Sequence, residues 1–586
     1  METSAMPRRR ANVDLLSQRI VLCALVIAMG IFILGPLLMI VIRSVTDETG
    51  AFVGLRNFAR YFSTPSLLQS LINTLIVGTV TTAGTVLLAF PYAYAITRSR
   101  SPLRKVFLVL SMVPLYAPTM LYGIGLVYLF GNQGLITHGF FGRLPIAIDI
   151  HLYGLVGIIL AEILITFPTA VLVLTVSLSH TDRRLYDAAA SMGASAFRTF
   201  RTITLPGCRL GLLSASSIAF ILSVTDFGAP KVLGAKTGVL ATDIYSQVIG
   251  QQDFSMGAAI SLVLLVPSAL ACGLEMFARR RQSAMLTARS VPLIPHRRLL
   301  LDTTLFVYCC LVTGAILAVT LTPALVSFVR NWPYSLSNPH AVTGSVFTMD
   351  HFNFDLIGAA TGGGFSAYYD SLLVAGITVI VGTAGTFLAA YLVEKTPIMP
   401  WLRSAAGVMA IVPLGLPGLV LGLAFSLLFS RSHWGPFPNP MAGIYGTLTI
   451  LVACNIVHFL GVSFLTARSA LKQLDDEFEQ VAASLAVSGW RLLLRVTLPI
   501  CMPALLEIGM YYFVSATTTI SAVIFLYSAT TPLAAVAVIN LDDAGWTQSA
   551  AAMSVMILTS NLLVRIAIEP LQRFFRHRTQ QWRGAV

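Results

Sequence analysis

Two stretches decide how this chain is read: "DAAASMGASAFRTFRTITLP" at 187–206 and "QVAASLAVSGWRLLLRVTLP" at 480–499. Both are polar, small-residue segments set in an apolar sequence, and both end in Leu-Pro. They start 293 residues apart, half the total length of 586. Further matches flank them in the same order. "TTAGTVLLA" (81–89) matches "GTAGTFLAA" (382–390), and "SMVPLYAPTMLYGIGLVYLF" (111–130) matches "AIVPLGLPGLVLGLAFSLLF" (410–429). The second match sets Pro114 over Pro413 and Pro118 over Pro417. The chain is an internal duplication.

Its composition belongs to a lipid environment. Hydrophobic residues make up 56%, charged residues 11%, and mean hydropathy is +0.80. Soluble domains carry roughly 25% charged residues. Twelve apolar runs lie near 20–42, 70–97, 106–130, 153–179, 207–227, 255–277, 303–329, 371–393, 403–430, 443–467, 502–527 and 547–569. Each is long enough to cross a hydrocarbon core of roughly 30 Å. The fold class is therefore an all-α membrane protein of about twelve spans. The net charge of +13 raises the question of nucleic acid. With the N-terminus inside, however, about 30 of the 38 Lys and Arg residues fall on cytoplasmic segments. That bias predicts cytoplasmic termini and contact with membrane lipids, and no nucleic acid. The basic start is followed by an apolar run too long for a signal peptide, with no cleavage site after it. It reads as a retained span. Cys23, Cys208, Cys272, Cys309, Cys310, Cys454 and Cys501 sit in or beside spans with no ligand spacing. They read as packing residues.

Six spans per half bring each half back to the same side, so the halves are expected to be parallel repeats. The expected organisation is 1–69 as tail, first span and external segment, 70–277 as the first repeat domain and 278–302 as a cytoplasmic linker. The seventh span and an external loop follow at 303–370, then the second repeat domain at 371–570 and a basic tail at 571–586. The paired prolines free backbone groups that lipid cannot satisfy. The third and ninth spans either face the bundle interior or carry plain packing kinks.

Each quoted loop predicts two short helices held against a span. Asp187 is placed to favour a helix N-terminus, Gly193 to permit a tight turn, and Pro206 to open the next span. Phe197 and Phe200 fall on one flank of the second short helix. Ala188, Ala189 and Ala190 form a small-residue face that another protein can approach closely. A generic connecting loop is the alternative, and the second copy weighs against it.

The pattern resembles the EAA loop of ABC importer permeases: Glu-Ala-Ala, three residues, Gly, nine residues, then Ile-x-Leu-Pro. Here Asp187, Ala188, Ala189, Gly193, Ile203, Leu205 and Pro206 fit it, with Asp for Glu. The second copy departs from it. Gln480 stands at the acidic position, with Glu479 one residue earlier and Ala482 and Ala483 after it; Ala486 replaces Gly, and Val496, Leu498 and Pro499 close the motif. The resemblance implies two permease domains fused in one chain of the bacterial inner membrane. It implies as partners two copies of an ABC ATPase subunit and a periplasmic solute-binding protein, with no cofactor in this chain. No GxxxxGK[ST] stretch occurs, so nucleotide chemistry must come from elsewhere. "VYLFGNQG" (127–134), "TDFGAPKVLG" (225–234) and "LATDIYSQVIGQQDF" (240–254) look most like 2-aminoethylphosphonate permeases, with ferric iron second and thiamine a further alternative.

Intramembrane carboxylates mark functional sites by default. Glu162 and Glu507 therefore stand either on a pathway or in helix–helix pairs. Asp226 closes the fifth span on the outer side, and its repeat counterpart holds Thr518 and Thr519; these line a gate or anchor an interface. His340, Asp350 and His351 share an outer loop in no metal-ligand spacing. A twelve-span secondary transporter remains the rival from another class. It would not need two Leu-Pro-terminated loops. A membrane enzyme lacks support: no HExxH, paired carboxylates or Ser/His/Asp grouping appears.

Overall fold

The computed structural model describes residues 5–100, 102–139, 148–179, 181–285, 299–333, 345–355, 364–431, 433–434, 437–485 and 487–579. Helix dominates, and the only sheet among the described residues joins two strands of two residues each, His433–Trp434 and Phe437–Pro438. In chain order the helices used below are α1 Asp14–Ser44, α2 Pro65–Arg98, α3 Arg104–Tyr116, α4 Thr119–Phe130, α5 Leu155–Ser179, α6 Arg183–Ser191 and α7 Ala196–Gly207. Next come α8 Arg209–Thr225, α9 Gly228–Leu233, α10 Leu240–Tyr245, α11 Phe254–Arg281 and α12 Leu299–Ser327. The second half continues with α13 Phe365–Glu394, α14 Pro400–Gly415, α15 Gly418–Phe429, α16 Leu448–Lys472, α17 Glu477–Ser484, α18 Gly489–Thr518, α19 Ala534–Asp543 and α20 Thr547–Arg578.

Among the described residues, 9 helices are long and apolar enough to cross a membrane, or up to 12 if each bent pair counts as one span. The bent pairs are α3–α4 at 103°, α7–α8 at 61° and α14–α15 at 115°. The two sharpest bends sit at the paired prolines, and the cause is local. Proline pushes the preceding residue out of helical geometry, and Ala117 and Leu416, before Pro118 and Pro417, are both extended. Pro114 and Pro413 open short 3₁₀ turns just upstream, where a missing N–H is harmless.

The repeat is kept at atomic register. α5 and α16 are each 25 residues long and start 293 residues apart. α4 and α15 are each 12 residues long but start 299 apart. The difference is absorbed by a longer segment after α4 in the first half.

Packing groups the chain into two compact units that do not follow chain order. One holds residues 1–42, 365–536 and 557–586; the other holds 43–364 and 537–556. In the first of these, α13, α16 and α18 pack together, with Thr386 and Tyr512 hydroxyls bonded at 2.8 Å. α1 lies against α13 and α14, and Phe32 stacks on Phe429 at 5.6 Å. In the other unit, α2, α5 and α8 form the matching core, with Thr85 and Thr166 hydroxyls at 2.7 Å. α12 covers α2, α3 and α4. Tyr308 donates to the Leu88 carbonyl at 2.7 Å, and the Tyr92 and Thr313 hydroxyls bond at 2.8 Å. The first span of the chain thus completes the later half's bundle, and the seventh span completes the earlier half's.

Candidate functional site

The two loops fold alike in detail. In the first, α6 closes with Met192 N–H donating to Ala188 at 3.1 Å and Ala194 N–H to Ala189 at 3.0 Å. In the second, Leu485 N–H donates to Val481 at 3.0 Å and Val487 N–H to Ala482 at 2.9 Å. Ser195 and Ser488 then cap the next helix, each accepting a backbone N–H at 3.3 Å, from Arg198 and Arg491. Both loops re-enter the bundle through a π turn, Phe200–Thr204 and Leu493–Thr497, which carry Ile203 and Val496. Leu205–Pro206 and Leu498–Pro499 follow directly, with each proline in a first-turn position.

Gly193 has φ +69, in the left-handed region where a side chain is strained. Gly193→Ala is expected to cost about 1–2 kcal/mol, seen as faster proteolysis within 183–207. Ala486, its counterpart, lies outside the described residues, but the hydrogen bonds flanking it match those of the first loop.

Three expectations for the loops need correction. Asp182, not Asp187, caps α6, accepting the Arg184 N–H at 3.0 Å. Asp187 lies a turn further on and pairs with Arg183 at 3.3 Å, because the helix starts four residues earlier than the alanine run implies. Second, the alanine face is divided. Ala188 and Ala190 are exposed, whereas Ala189 is 4% exposed and its counterpart Ala482 is 8% exposed. Helical geometry turns the middle alanine inward, so Ala190 and Ala483 are the equivalent exposed positions. Third, Phe197 and Phe200 part company. Phe197 is exposed, and Phe200 packs edge-on against Phe90 at 6.0 Å and Tyr94 at 6.1 Å of α2.

What faces outward is apolar at matching positions. Leu185 and Met192 are exposed on the first loop, Phe478 and Leu485 on the second, with Val481 beside them. On the second loop these side chains border a groove of about 740 Å³, whose rim carries Asp475, Glu477, Arg491 and Arg495. Gln480 is exposed, and Glu479 turns inward.

Each loop is also held by a buried cation that sequence reasoning missed. Arg98, the last residue of α2, donates to the Leu178 carbonyl at 2.7 Å and lies over the Tyr186 ring at 4.9 Å. Lys395, just past α13, donates to the Leu474 carbonyl at 3.0 Å and pairs with Asp476 at 2.7 Å and Glu479 at 3.4 Å. That ammonium holds Asp476 below its ordinary value of 3.8. A depressed carboxylate lends its support above the ordinary range and loses it as pH falls through the lowered value, so this tie weakens only in acid. The second loop has a further clamp. Its Gly489 N–H donates to Asp14 at 2.7 Å and its Trp490 indole to Ser17 at 2.8 Å, both on α1.

Of the intramembrane candidates, Glu162 is fully buried on α5, and among the described residues no hydrogen-bond donor reaches either carboxyl oxygen. Asp226 ends α8 and accepts the Ala229 N–H at 2.9 Å, starting α9. Thr518 donates to the Val514 carbonyl at 2.8 Å, and Thr519 ends α18 as Asp226 ends α8. Glu507 pairs with Arg565 at 3.6 Å and accepts from Gln572 at 2.8 Å, so it joins two helices. Asp350 pairs with Arg330 at 3.8 Å, and a His351 ring nitrogen meets the Val329 carbonyl at 3.0 Å. His340 lies outside the described residues.

Residues 85–282 and 382–577 each match the family profile described as "Binding-protein-dependent transport system inner membrane component". Among relatives, a protein named as a ferric transport system permease in Haemophilus influenzae is 25% identical, over 85% of this chain and 79% of its own. A ferric transport system permease of Actinobacillus pleuropneumoniae is also 25% identical, over 82% and 68%. A protein named as a 2-aminoethylphosphonate transport system permease in Salmonella typhi is 26% identical, over 41% of this chain and 84% of its own.

Proposed function

Because this chain belongs to the family of binding-protein-dependent transport system inner membrane components, we propose that it forms the whole translocation pathway of an ATP-driven importer in one polypeptide. Loops α6–α7 and α17–α18 each engage one copy of a separate ATPase subunit. A periplasmic binding protein delivers the solute, and both termini lie in the cytoplasm. The observation that carries this reading is the repeated loop: two copies with the same hydrogen-bonded closure, the same serine cap and exposed apolar side chains at the same register. A connecting loop has no reason to repeat a docking face.

The experiment is co-purification of the chain with its ATPase after Ala190→Arg and Ala483→Arg, placed on exposed positions so that folding is spared. The complex is expected to be lost in the double variant. The buried positions Ala189 and Ala482 serve as contrast, since charge there disrupts the loop itself. Retention of the complex in the double variant would remove the docking assignment.

For the solute, the ferric relatives favour ferric iron, because they match both halves in one chain. The 2-aminoethylphosphonate reading is retained for the stretches 127–134, 225–234 and 240–254; its relative in Salmonella typhi matches over a single-half length. Competitive uptake of radiolabelled ferric iron and 2-aminoethylphosphonate into cells, with and without this chain, separates the two. Glu162, Asp226, Thr518 and Thr519 remain as pathway candidates. In this reading the chain itself carries out no catalysis.

A further inference from the structure

The two loops share a fold but not a neighbour. Ser195 and Ser488 stand 293 residues apart as caps of equivalent helices, so Gly489 and Trp490 occupy the register of Ala196 and Phe197. In the first loop both positions are exposed, Phe197 at 74%. In the second both are half-buried, because the start of α1 lies on them. Asp14 accepts the Gly489 N–H at 2.7 Å, and Ser17 accepts the Trp490 indole N–H at 2.8 Å. Residues three apart share one face of a helix, so a single edge of α1 makes both bonds. From the bundle side, the Tyr391 hydroxyl of α13 donates to the Gly489 carbonyl at 3.1 Å.

The residue choice at 489 follows from this approach. A Cβ there would collide with the side-chain amide of Gln18, which is itself buried. Glycine is a poor helix former, and its use here is explained by a neighbour that comes too close for a side chain. The first loop carries Ala196 at the same register, on an exposed face.

A tether also needs a fixed base, and α1 has one. Phe32, roughly 27 Å further along the helix, stacks on Phe429 at 5.6 Å and lies 6.4 Å from Phe425 of α15. Gly35 lets Leu428 approach to 3.2 Å from where its Cβ would stand. In the other unit the counterpart of α1 is α12. Its Asp302 accepts the Arg100 N–H at 3.3 Å, on the link that follows α2.

We propose that Asp14 and Ser17 are positioning residues that make α1 a tether for the second coupling loop, so that the two loops are mechanically unequal. Loop α17–α18 is held by Lys395 and Tyr391 from the bundle and by α1 on its outer flank, whereas loop α6–α7 presents that same flank to solvent. The Asp14 bond is the stronger of the two, because its acceptor is a carboxylate. The inference rests on the coupling role proposed above for both loops. In that role the second loop passes its displacement to α1 as well as to α18.

The test first reads hydrogen exchange of the full-length chain in lipid nanodiscs without the ATPase, then uptake per ATP hydrolysed in the assembled importer. In the double variant Asp14→Ala, Ser17→Ala, exchange across 489–495 should quicken about tenfold, as the loss of one charge-assisted hydrogen bond implies. The matching stretch 196–202 should exchange as before. Asp14→Asn, which keeps an acceptor, should retain most of the protection. Uptake per ATP should fall in the double variant and recover in Asp14→Asn, with the ATPase still bound. If the double variant fails to fold, Gly489→Ala displaces α1 from the loop side, and adding Gln18→Ala should restore protection by making room. Unchanged exchange at 489–495, an equal rise at 196–202, or faster exchange with uptake per ATP unaltered would each overturn the proposal. A wild-type chain that shows no ATP-driven uptake overturns the coupling reading instead, and exchange in the isolated chain still decides whether α1 holds the loop.

Discussion

Replacing Lys395 by methionine will loosen loop α17–α18 from α13 and cut ATP-coupled uptake about tenfold, the equivalent of roughly 1.4 kcal/mol. Methionine keeps most of the stem volume and removes the charge, so packing is largely spared. The Lys395 side chain is 3% exposed, Glu479 24% and Asp476 83%. These numbers rank the three partners. Water screens an ion pair whose carboxylate is exposed, so Asp476 adds little. The Leu474 carbonyl and Glu479 receive charge-assisted hydrogen bonds in a drier setting, worth about 1.5–3 kcal/mol each before the cost of burying the ammonium. The loop is therefore held by its two inner contacts. Arg98→Met should do the same to loop α6–α7, by freeing the Leu178 carbonyl and the Tyr186 ring.

The measurement is uptake together with ATP hydrolysis in the assembled importer. If the loops couple as proposed, a loop that has lost its inner support still binds the ATPase while moving the bundle poorly, so hydrolysis should outlast transport. Lys395→Arg, which keeps a charge at the same place, should recover part of the loss. Unchanged coupling in both methionine variants would mean that these cations only fill space.

Neither cation could be found in the sequence, and the reason is physical. A basic residue at the end of an apolar run is what cytoplasmic orientation alone requires. Nothing in its neighbours says that it turns inward to meet a carbonyl some 80 residues away. The exchange of α1 and α12 between bundles was hidden for the same cause. Both are apolar on all sides, and only long-range packing chooses their partners. Local chemistry was legible. The paired prolines located both sharp bends, Gly193 marked a left-handed turn, and two Leu-Pro endings located both loops. The helix start at Asp182 was missed because Asp187 stood next to the more conspicuous alanines, although Asp182 precedes Arg-Arg-Leu in an ordinary capping position. Glu162 and Asp226 were each picked out singly. How deeply each is buried depends on how α5 and the end of α8 pack, which no spacing in the sequence encodes.

Gly228→Ser will destabilise the fold by about 1–3 kcal/mol, the usual cost of overfilling a packed core, and Thr119→Gly in the same chain will recover most of it. A Cβ at Gly228 would collide with the Thr119 hydroxyl, and would also stand 3.2 Å from the Met120 nitrogen. The equivalent site in the second half has the pieces reversed. Gly418 replaces Thr119 and Ser521 replaces Gly228, and a Cβ at Gly418 would collide with the Ser521 hydroxyl. Each half thus pairs one hydroxyl residue with one glycine, on opposite sides of the same contact. Thr119→Gly alone is expected to be harmful as well, since it leaves a hole. The double variant rebuilds in the first half the arrangement that the second already uses. Thermal unfolding of all four chains should give a coupling energy of about 0.5–3 kcal/mol in favour of the pair. Losses that simply add would show that the two contacts are not equivalent, and that the halves have diverged further than their shared register implies.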